Sequence, residues 1–216
     1  MRIVPALLLV CAVGTLARAQ DKWEISGVGG ASFYRDLRAT ANNPSRAAKV
    51  GFFEGIAAGA VVAQTGGGHW GGEFRYLFQT SNMRLRGADG TTGGADFAAQ
   101  SHAFHYDVLL YATPRDARVR PYVAGGPGLK VYQATGAERA FQPLGTIVIF
   151  SRENELKFMA SAGAGVKVRV GRNALVRLDI RDYVTGIPKN FTAFPGARLS
   201  GQFHNFVATG GIGIVF

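Results

Sequence analysis

The chain has 216 residues, a formal net charge of +10 at pH 7, 30 glycines and one cysteine, Cys11. That length accommodates one or two domains, and a lone cysteine excludes an internal disulfide framework. The positive charge raises nucleic acid as a partner. The basic residues are scattered singly through alternating segments, however, with no basic helix and no nucleic-acid motif, so that class is set aside.

The first twenty residues read MRIVPALLLVCAVGTLARAQ. Arg2, an apolar run over residues 3–17 and the small-x-small site Ala17-Arg18-Ala19 form a secretory-signal pattern. We expect a signal over residues 1–19 and one domain over 20–216. The apolar run is short of the roughly 20 residues a spanning helix needs. Cys11 sits inside it after Val10, where a lipid-modified cysteine would follow a small residue, so it reads as part of the signal's apolar core. Removing Arg2 and Arg18 leaves a mature charge of +8. Beyond residue 19 no apolar stretch is long enough for a transmembrane helix.

Residues 23–34 (WEISGVGGASFY) predict a first strand, Gly-rich and weakly alternating. Residues 35–47 read as a loop. Residues 48–63 (AKVGFFEGIAAGAVVA) read as one strand, with faces unassigned. Phe52-Phe53 and Gly51, Gly55 and Gly59 count against a helix there. A turn at 65–68 follows. Over 69–85, Trp70, Gly72, Phe74, Tyr76 and Phe78 share one register, and Gly71, Glu73, Arg75, Leu77 and Gln79 the other. That period of 2 is the strand signal. Residues 86–97 read as loop. Over 98–113, Phe104, Tyr106, Val108 and Leu110 oppose His105, Asp107, Leu109 and Tyr111, and a turn at 114–117 carries Pro114.

Residues 118–133 set Val119, Val123, Leu129 and Val131 against Arg120, Tyr122 and Lys130. Pro121 and Pro127 each remove a ladder donor, so a bulge or a locally opened hydrogen-bond pattern is expected. Residues 134–155 read as irregular, with LGTIVIF (144–150) as a strand extension or a short hairpin. Over 156–170, Phe158, Ala160, Val166 and Val168 face away from Lys157, Lys167 and Arg169; after a turn at 171–173, Val176, Leu178 and Ile180 face away from Arg177, Asp179 and Arg181. Residues 186–201 read as loop. The final segment, FHNFVATGGIGIVF, places Phe206, Ile212, Ile214 and Phe216 on one face and small residues on the other.

Eight strands joined alternately by short and long connections are the pattern of an outer-membrane barrel. The expected fold is all-β: an eight-stranded antiparallel transmembrane β-barrel, a closed up-and-down meander with both termini periplasmic. The rows then acquire meaning. Glu73, Arg75, Asp107, Arg120, Lys130, Lys167, Arg169, Arg177, Asp179 and Arg181 become an interior polar network. Trp70, Phe74, Tyr76, Phe206, Ile212, Ile214 and Phe216 become lipid-facing or assembly residues. A soluble lipocalin-like barrel is the alternative, but it would bury this many charges in an apolar cavity.

The signal segment, HWGGEFRYLFQ (69–79), the alternating strands after Ser101 and the ending GGIGIVF (210–216) together resemble the small OmpA/OmpX-like outer-membrane barrel proteins. The resemblance implies a structural, envelope-integrity role, with long external loops open to surface recognition. It implies outer-membrane lipid and lipopolysaccharide as partners, the barrel-assembly machinery during insertion, a monomer and no cofactor. Phe216, Ile214 and Ile212 match the terminal pattern that machinery reads, and no peptidoglycan-binding domain is expected after the barrel. A lipid-modifying enzyme is the remaining alternative. Ser101, His105 and Asp107 share a face and sketch a hydrolytic set, whereas His204-Asn205 departs from the His-x-Ser arrangement of deacylase-like barrels. No His, Asp and Cys cluster has metal-ligand spacing.

Overall fold

A computed structural model describes residues 22–41, 47–66, 68–88, 95–136, 144 and 147–216. The signal expected over residues 1–19, with Cys11, lies outside them. The described strands are β1 (Lys22–Tyr34), β2 (Leu37–Ala41), β3 (Ala47–Phe52), β4 (Gly55–Thr65), β5 (Trp70–Thr80), β6 (Met83–Gly87), β7 (Ala95–Phe97), β8 (Ala99–Tyr111), β9 (Val119–Ala134), β10 (Val148–Phe150), β11 (Asn154–Arg169), β12 (Ala174–Thr185), β13 (Phe191–Ala193), β14 (Ala197–Leu199) and β15 (Phe203–Val215). Eight of them close into an antiparallel barrel in the order β1-β15-β12-β11-β9-β8-β5-β4. Each pairs with the barrel strands before and after it in the chain, which is the expected meander.

Period 2 sorts the side chains. Outward positions carry Ile56 (71% exposed), Phe158 (88%) and Ile212 (73%), while inward Glu73, Arg75 and Arg177 are wholly buried. An apolar exterior around a charged interior is the arrangement lipid requires. The seam is complete. β1 and β15 pair from Glu24↔Val215 to Tyr34↔Asn205, and Trp23 and Phe216 exchange amide-to-carbonyl bonds of 3.0 Å in both directions. No strand edge is left in hydrocarbon. Gly211 and Gly213 make room beside this seam: a Cβ on Gly211 would lie 2.5 Å from the Gly27 carbonyl, and one on Gly213 would lie 2.1 Å from Ser26 Oγ.

The turns that close three hairpins are short. Gly68 takes φ +81°, open to glycine at little cost. The Ala117 amide donates to the Pro114 carbonyl at 3.2 Å, and the Val170 amide to that of Ala174 at 3.0 Å.

The long connections differ from the expected loops. β14-β2-β3-β6-β7 form a five-stranded sheet, and β10 pairs with β13. Residues 48–63 are therefore not one strand: β3 belongs to this external sheet and β4 to the barrel. Pairing runs Ala57↔Gln79 in the barrel but Phe52↔Met83 beyond it, a register offset of one residue. The inward side chains change from odd positions in β4 (Ala57, Val61, Ala63) to even ones in β3 (Ala48, Val50, Phe52). An extra residue in one strand of a pair does this. Residues 69–85 likewise divide into β5 and β6, but without a change of parity.

Of the two prolines in β9, Pro127 acts as the second of the two expectations, whereas Pro121 lies beyond the last β8–β9 pair, Tyr111↔Tyr122. The β8–β9 ladder pairs His105↔Gly128 and Val108↔Gly125 and opens at the two positions between them, with no register change. β9 and β11 stay paired throughout, from Asn154↔Gln133 to Val168↔Val119. The ladder opens; it does not bulge.

Above the barrel the small sheets enclose an apolar core continuous with its upper wall. Phe52 is at its centre, with ring centroids 4.6 Å from Tyr34, 5.7 Å from Tyr132, 5.2 Å from Phe191 and 5.6 Å from Phe203. Val148, Phe150, Met83 and Leu85 complete it.

Candidate functional site

In an eight-stranded ring, strands four apart stand across the diameter. β5 and β12 have that relation, and alternation turns Glu73 and Arg75 of β5 toward Arg177, Asp179 and Arg181 of β12. A narrow barrel lets such side chains meet. Arg75 forks onto Asp179 with bonds of 2.8 and 3.0 Å, and its NH2 donates to Glu73 Oε1 at 2.9 Å. Glu73 also accepts from Arg177 at 2.8 Å and Arg181 at 2.7 Å. Arg181 pairs with Asp107 of β8. Arg177 reaches Glu24 of β1 at 3.0 Å, and Lys167 of β11 reaches the same carboxylate at 2.5 Å.

Four carboxylates (Glu24, Glu73, Asp107, Asp179) thus meet four cations (Arg75, Lys167, Arg177, Arg181) in one connected set. Tyr122 Oη accepts from Arg177 at 3.1 Å and donates to Asp179 at 3.3 Å. Thr209 Oγ1 donates to Asp179 at 3.1 Å. Charge-assisted, partly bidentate bonds of this kind fix geometry strongly.

Three residues expected in the network stand apart from its ion pairs. Lys130 lies above it, fully buried, and donates to Tyr34 Oη (2.9 Å), Gln79 Oε1 (2.9 Å) and Asn205 Oδ1 (2.6 Å), all uncharged acceptors. Arg120 and Arg169 lie at the periplasmic mouth. Conversely, Glu24 and the hydroxyls of Tyr122 and Thr209 join the network without having been foreseen. The signal for Glu24 was present: Trp23 and Ile25 alternate with Glu24 and Ser26, a short copy of the apolar-out code.

The outward residues form the barrel's exterior. Trp70 is 58% exposed, Phe74, Phe206, Ile214 and Phe216 are also exposed, and Tyr76 is half-buried with its hydroxyl 2.9 Å from His102 Nδ1.

The hydrolytic set sketched by Ser101, His105 and Asp107 is not assembled. His105 Nδ1 lies 3.1 Å from Asp107 Oδ2, but that oxygen also meets Arg181 and accepts from Ser161 Oγ at 3.2 Å. Ser101 donates to Gln79 at 3.3 Å, not to His105. His105 Nε2 faces Tyr183 Oη at 3.1 Å. All are buried, and the hydroxyl within reach of His105 Nε2 is that of Tyr183, so Ser101, His105 and Asp107 do not form the expected hydrolytic set. Among the described residues no group of three His, Cys, Asp or Glu could hold a metal ion.

Outside the membrane the five-stranded sheet has a second polar face. Its inner side chains enter the apolar core, so alternation sends Arg38, Lys49, Arg84, Arg86 and Arg198 outward. Arg38 is opposite Lys49, and Lys49 opposite Arg86, making a lateral row of three cations. Arg84 is paired with Asp36 at 2.9 Å. Arg84 and Arg86 both lie over the Phe53 ring, 5.4 and 5.3 Å from its centroid. Among the described residues no carboxylate is in ion-pair range of Arg38, Lys49 or Arg86.

A closed eight-stranded barrel with an apolar belt and an ion-paired interior is a small outer-membrane β-barrel, with both termini on the periplasmic side. The lipocalin-like alternative fails on the interior, which is salt-bridged where a ligand cup would be apolar. A known structure agrees on the fold. The chain is similar to the outer membrane protein OprG from Pseudomonas aeruginosa at 10% identity, covering 90% of this chain and 95% of that one, with a TM-score of 0.63. It is also similar to the N-terminal β-barrel domain of Pseudomonas aeruginosa OprF at 14% identity, covering 90% and 97%, with a TM-score of 0.49. Compared by sequence, the chain matches no family model and no characterised protein.

Proposed function

We propose that this protein is a monomeric structural component of the outer membrane whose external sheet holds the phosphate groups of lipopolysaccharide. The observation that carries the reading is the row Arg38–Lys49–Arg86. Like charges directly opposite one another on a sheet are destabilising, and three adjacent strands present them here with no carboxylate in ion-pair range among the described residues. A polyanion laid across the row removes that repulsion. The apolar core beneath keeps the sheet rigid, so little ordering free energy is spent on binding. The lumen network contributes the envelope role, holding the wall stiff and the bore filled. In the same reading, Phe206, Ile212, Ile214 and Phe216 face lipid, and the last three are the pattern recognised by the assembly machinery.

The test is binding of the refolded barrel to lipopolysaccharide, with the Arg38→Glu/Lys49→Glu/Arg86→Glu variant and dephosphorylated lipopolysaccharide as comparisons. The native protein should bind in a salt-sensitive manner, and both changes should weaken binding at least about tenfold, or ~1.4 kcal/mol. Equal binding by the reversed variant, with its barrel folded, would sink the proposal.

A further inference from the structure

The opposite end of the barrel is also rich in cations, and there they converge on a cavity. The turn after β8 supplies Arg115 and Arg118, the start of β9 supplies Arg120, and the end of β11 supplies Lys167 and Arg169. These five, with Glu24, line a cavity of about 40 Å³ at the periplasmic mouth of the lumen. A water-sized group needs about 10–15 Å³ on this measure, so the space suits one small tetrahedral group and no bulky ligand.

The cavity's charge is unbalanced. Its one carboxylate among the described residues, Glu24, is already shared between Lys167 at 2.5 Å and Arg177 at 3.0 Å. Asp116, on the same turn, is not part of its walls. Arg118 Nε donates to the Arg169 carbonyl at 3.3 Å, and Arg169 NH2 to that of Arg115 at 3.4 Å. Those bonds orient the guanidinium groups without neutralising them.

Arg120 is the second, independent observation. It is 7% exposed, with its guanidinium carbon 3.6 Å from the centroid of the Tyr111 ring. Its Nε is buried with no hydrogen-bond partner among the described residues, and its Nη2 makes a long bond of 3.4 Å to the Gly68 carbonyl. A buried guanidinium held by stacking and one long bond retains most of its donor capacity, and leaving it without an anion is costly. Stacking also fixes its plane, so little side-chain entropy is lost when an oxyanion docks.

We infer that the periplasmic mouth is a binding site for a phosphate group, gripped by Arg120 from the lumen side and by Arg115, Arg118 and Arg169 from the rim. Phosphate fits better than a planar carboxylate because its tetrahedral oxygens can accept from several guanidinium forks at once. The group can arrive as inorganic phosphate or as the headgroup of an anionic phospholipid.

Calorimetric titration of the mature barrel with inorganic phosphate, in nanodiscs of phosphatidylcholine, tests this. One phosphate should bind per barrel, with affinity lowered at least about tenfold by Arg120→Gln and several-fold by Arg118→Ala/Arg169→Ala, which leaves the lumen network intact. Phosphatidylglycerol nanodiscs separate the sources: suppressed phosphate binding there identifies the lipid headgroup as occupant, and undiminished binding identifies the free ion. Heat-modifiable gel migration establishes that each variant is folded; if Arg120→Gln does not fold, the rim variant alone decides. Absence of saturable binding by the native barrel in phosphatidylcholine, or equal binding by the folded variants, overturns the inference.

Discussion

Replacing Glu73 by Gln removes the carboxylate that serves three arginines at once, at 2.9 Å (Arg75), 2.8 Å (Arg177) and 2.7 Å (Arg181). The shape is nearly kept. Four carboxylates facing four cations become three facing four, and the new amide turns a donor toward groups that can only donate. Breaking a buried pair from one side costs about 3–5 kcal/mol. At ~1.4 kcal/mol per tenfold change, the unfolding constant should rise by roughly two to three and a half powers of ten. The assay is reversible urea unfolding in lipid vesicles, followed by tryptophan fluorescence and by gel migration. Adding Arg181→Gln restores the balance of charge, so the double variant should lose less than the sum of the two single losses. A Glu73→Gln barrel within about 1 kcal/mol of native, or strictly additive losses, would refute the idea that this network acts as one unit.

Lys130→Met should cost less, about 1–3 kcal/mol in the same unfolding measurement, because the charge leaves together with its own desolvation penalty and only neutral acceptors lose a donor. Phe52→Ala should remove about 3–5 kcal/mol from the external core; protease added from outside should then cut the external segments while the barrel still migrates as folded. Deleting Phe216 breaks both backbone bonds to Trp23 and removes the terminal aromatic, so the amount of assembled barrel in cells should fall; unchanged insertion would defeat the assembly role proposed for it.

The barrel was legible because alternation repeats strand after strand, and a row such as Phe74/Tyr76 against Glu73/Arg75 has few physical solutions. The external sheet was not. β2, β3, β6, β7, β10, β13 and β14 are all six residues or shorter, too short for a period of 2 to stand out from loop composition. Residues 48–63 resisted for a more specific cause: the extra residue near Phe53-Glu54 inverts the code midway, so neither register is apolar along the whole segment. Within the network, β5 and β12 were readable individually. Their meeting across the bore depends on ring closure and stagger, which no single strand encodes. Arg120, Lys130 and Arg169 carry the same alternation signal as the paired residues, and height along the barrel decides which of them find a carboxylate.

Charge distribution joins these results. The ion-paired lumen set is balanced, with Lys130 adding one buried cation above it, so the excess cations of the described residues gather chiefly at the external sheet and the periplasmic mouth. An apolar band of roughly 25 Å separates those two regions, against a Debye length of about 8–10 Å at physiological salt. Their fields are therefore largely independent, and each must be offset locally. This separates the two binding proposals experimentally. Reversing Arg38, Lys49 and Arg86 should leave phosphate affinity at the periplasmic mouth unchanged, and Arg120→Gln should leave lipopolysaccharide binding unchanged. If either change altered both affinities in folded protein, the excess charge would be acting as one general field, and neither end could be regarded as a discrete site.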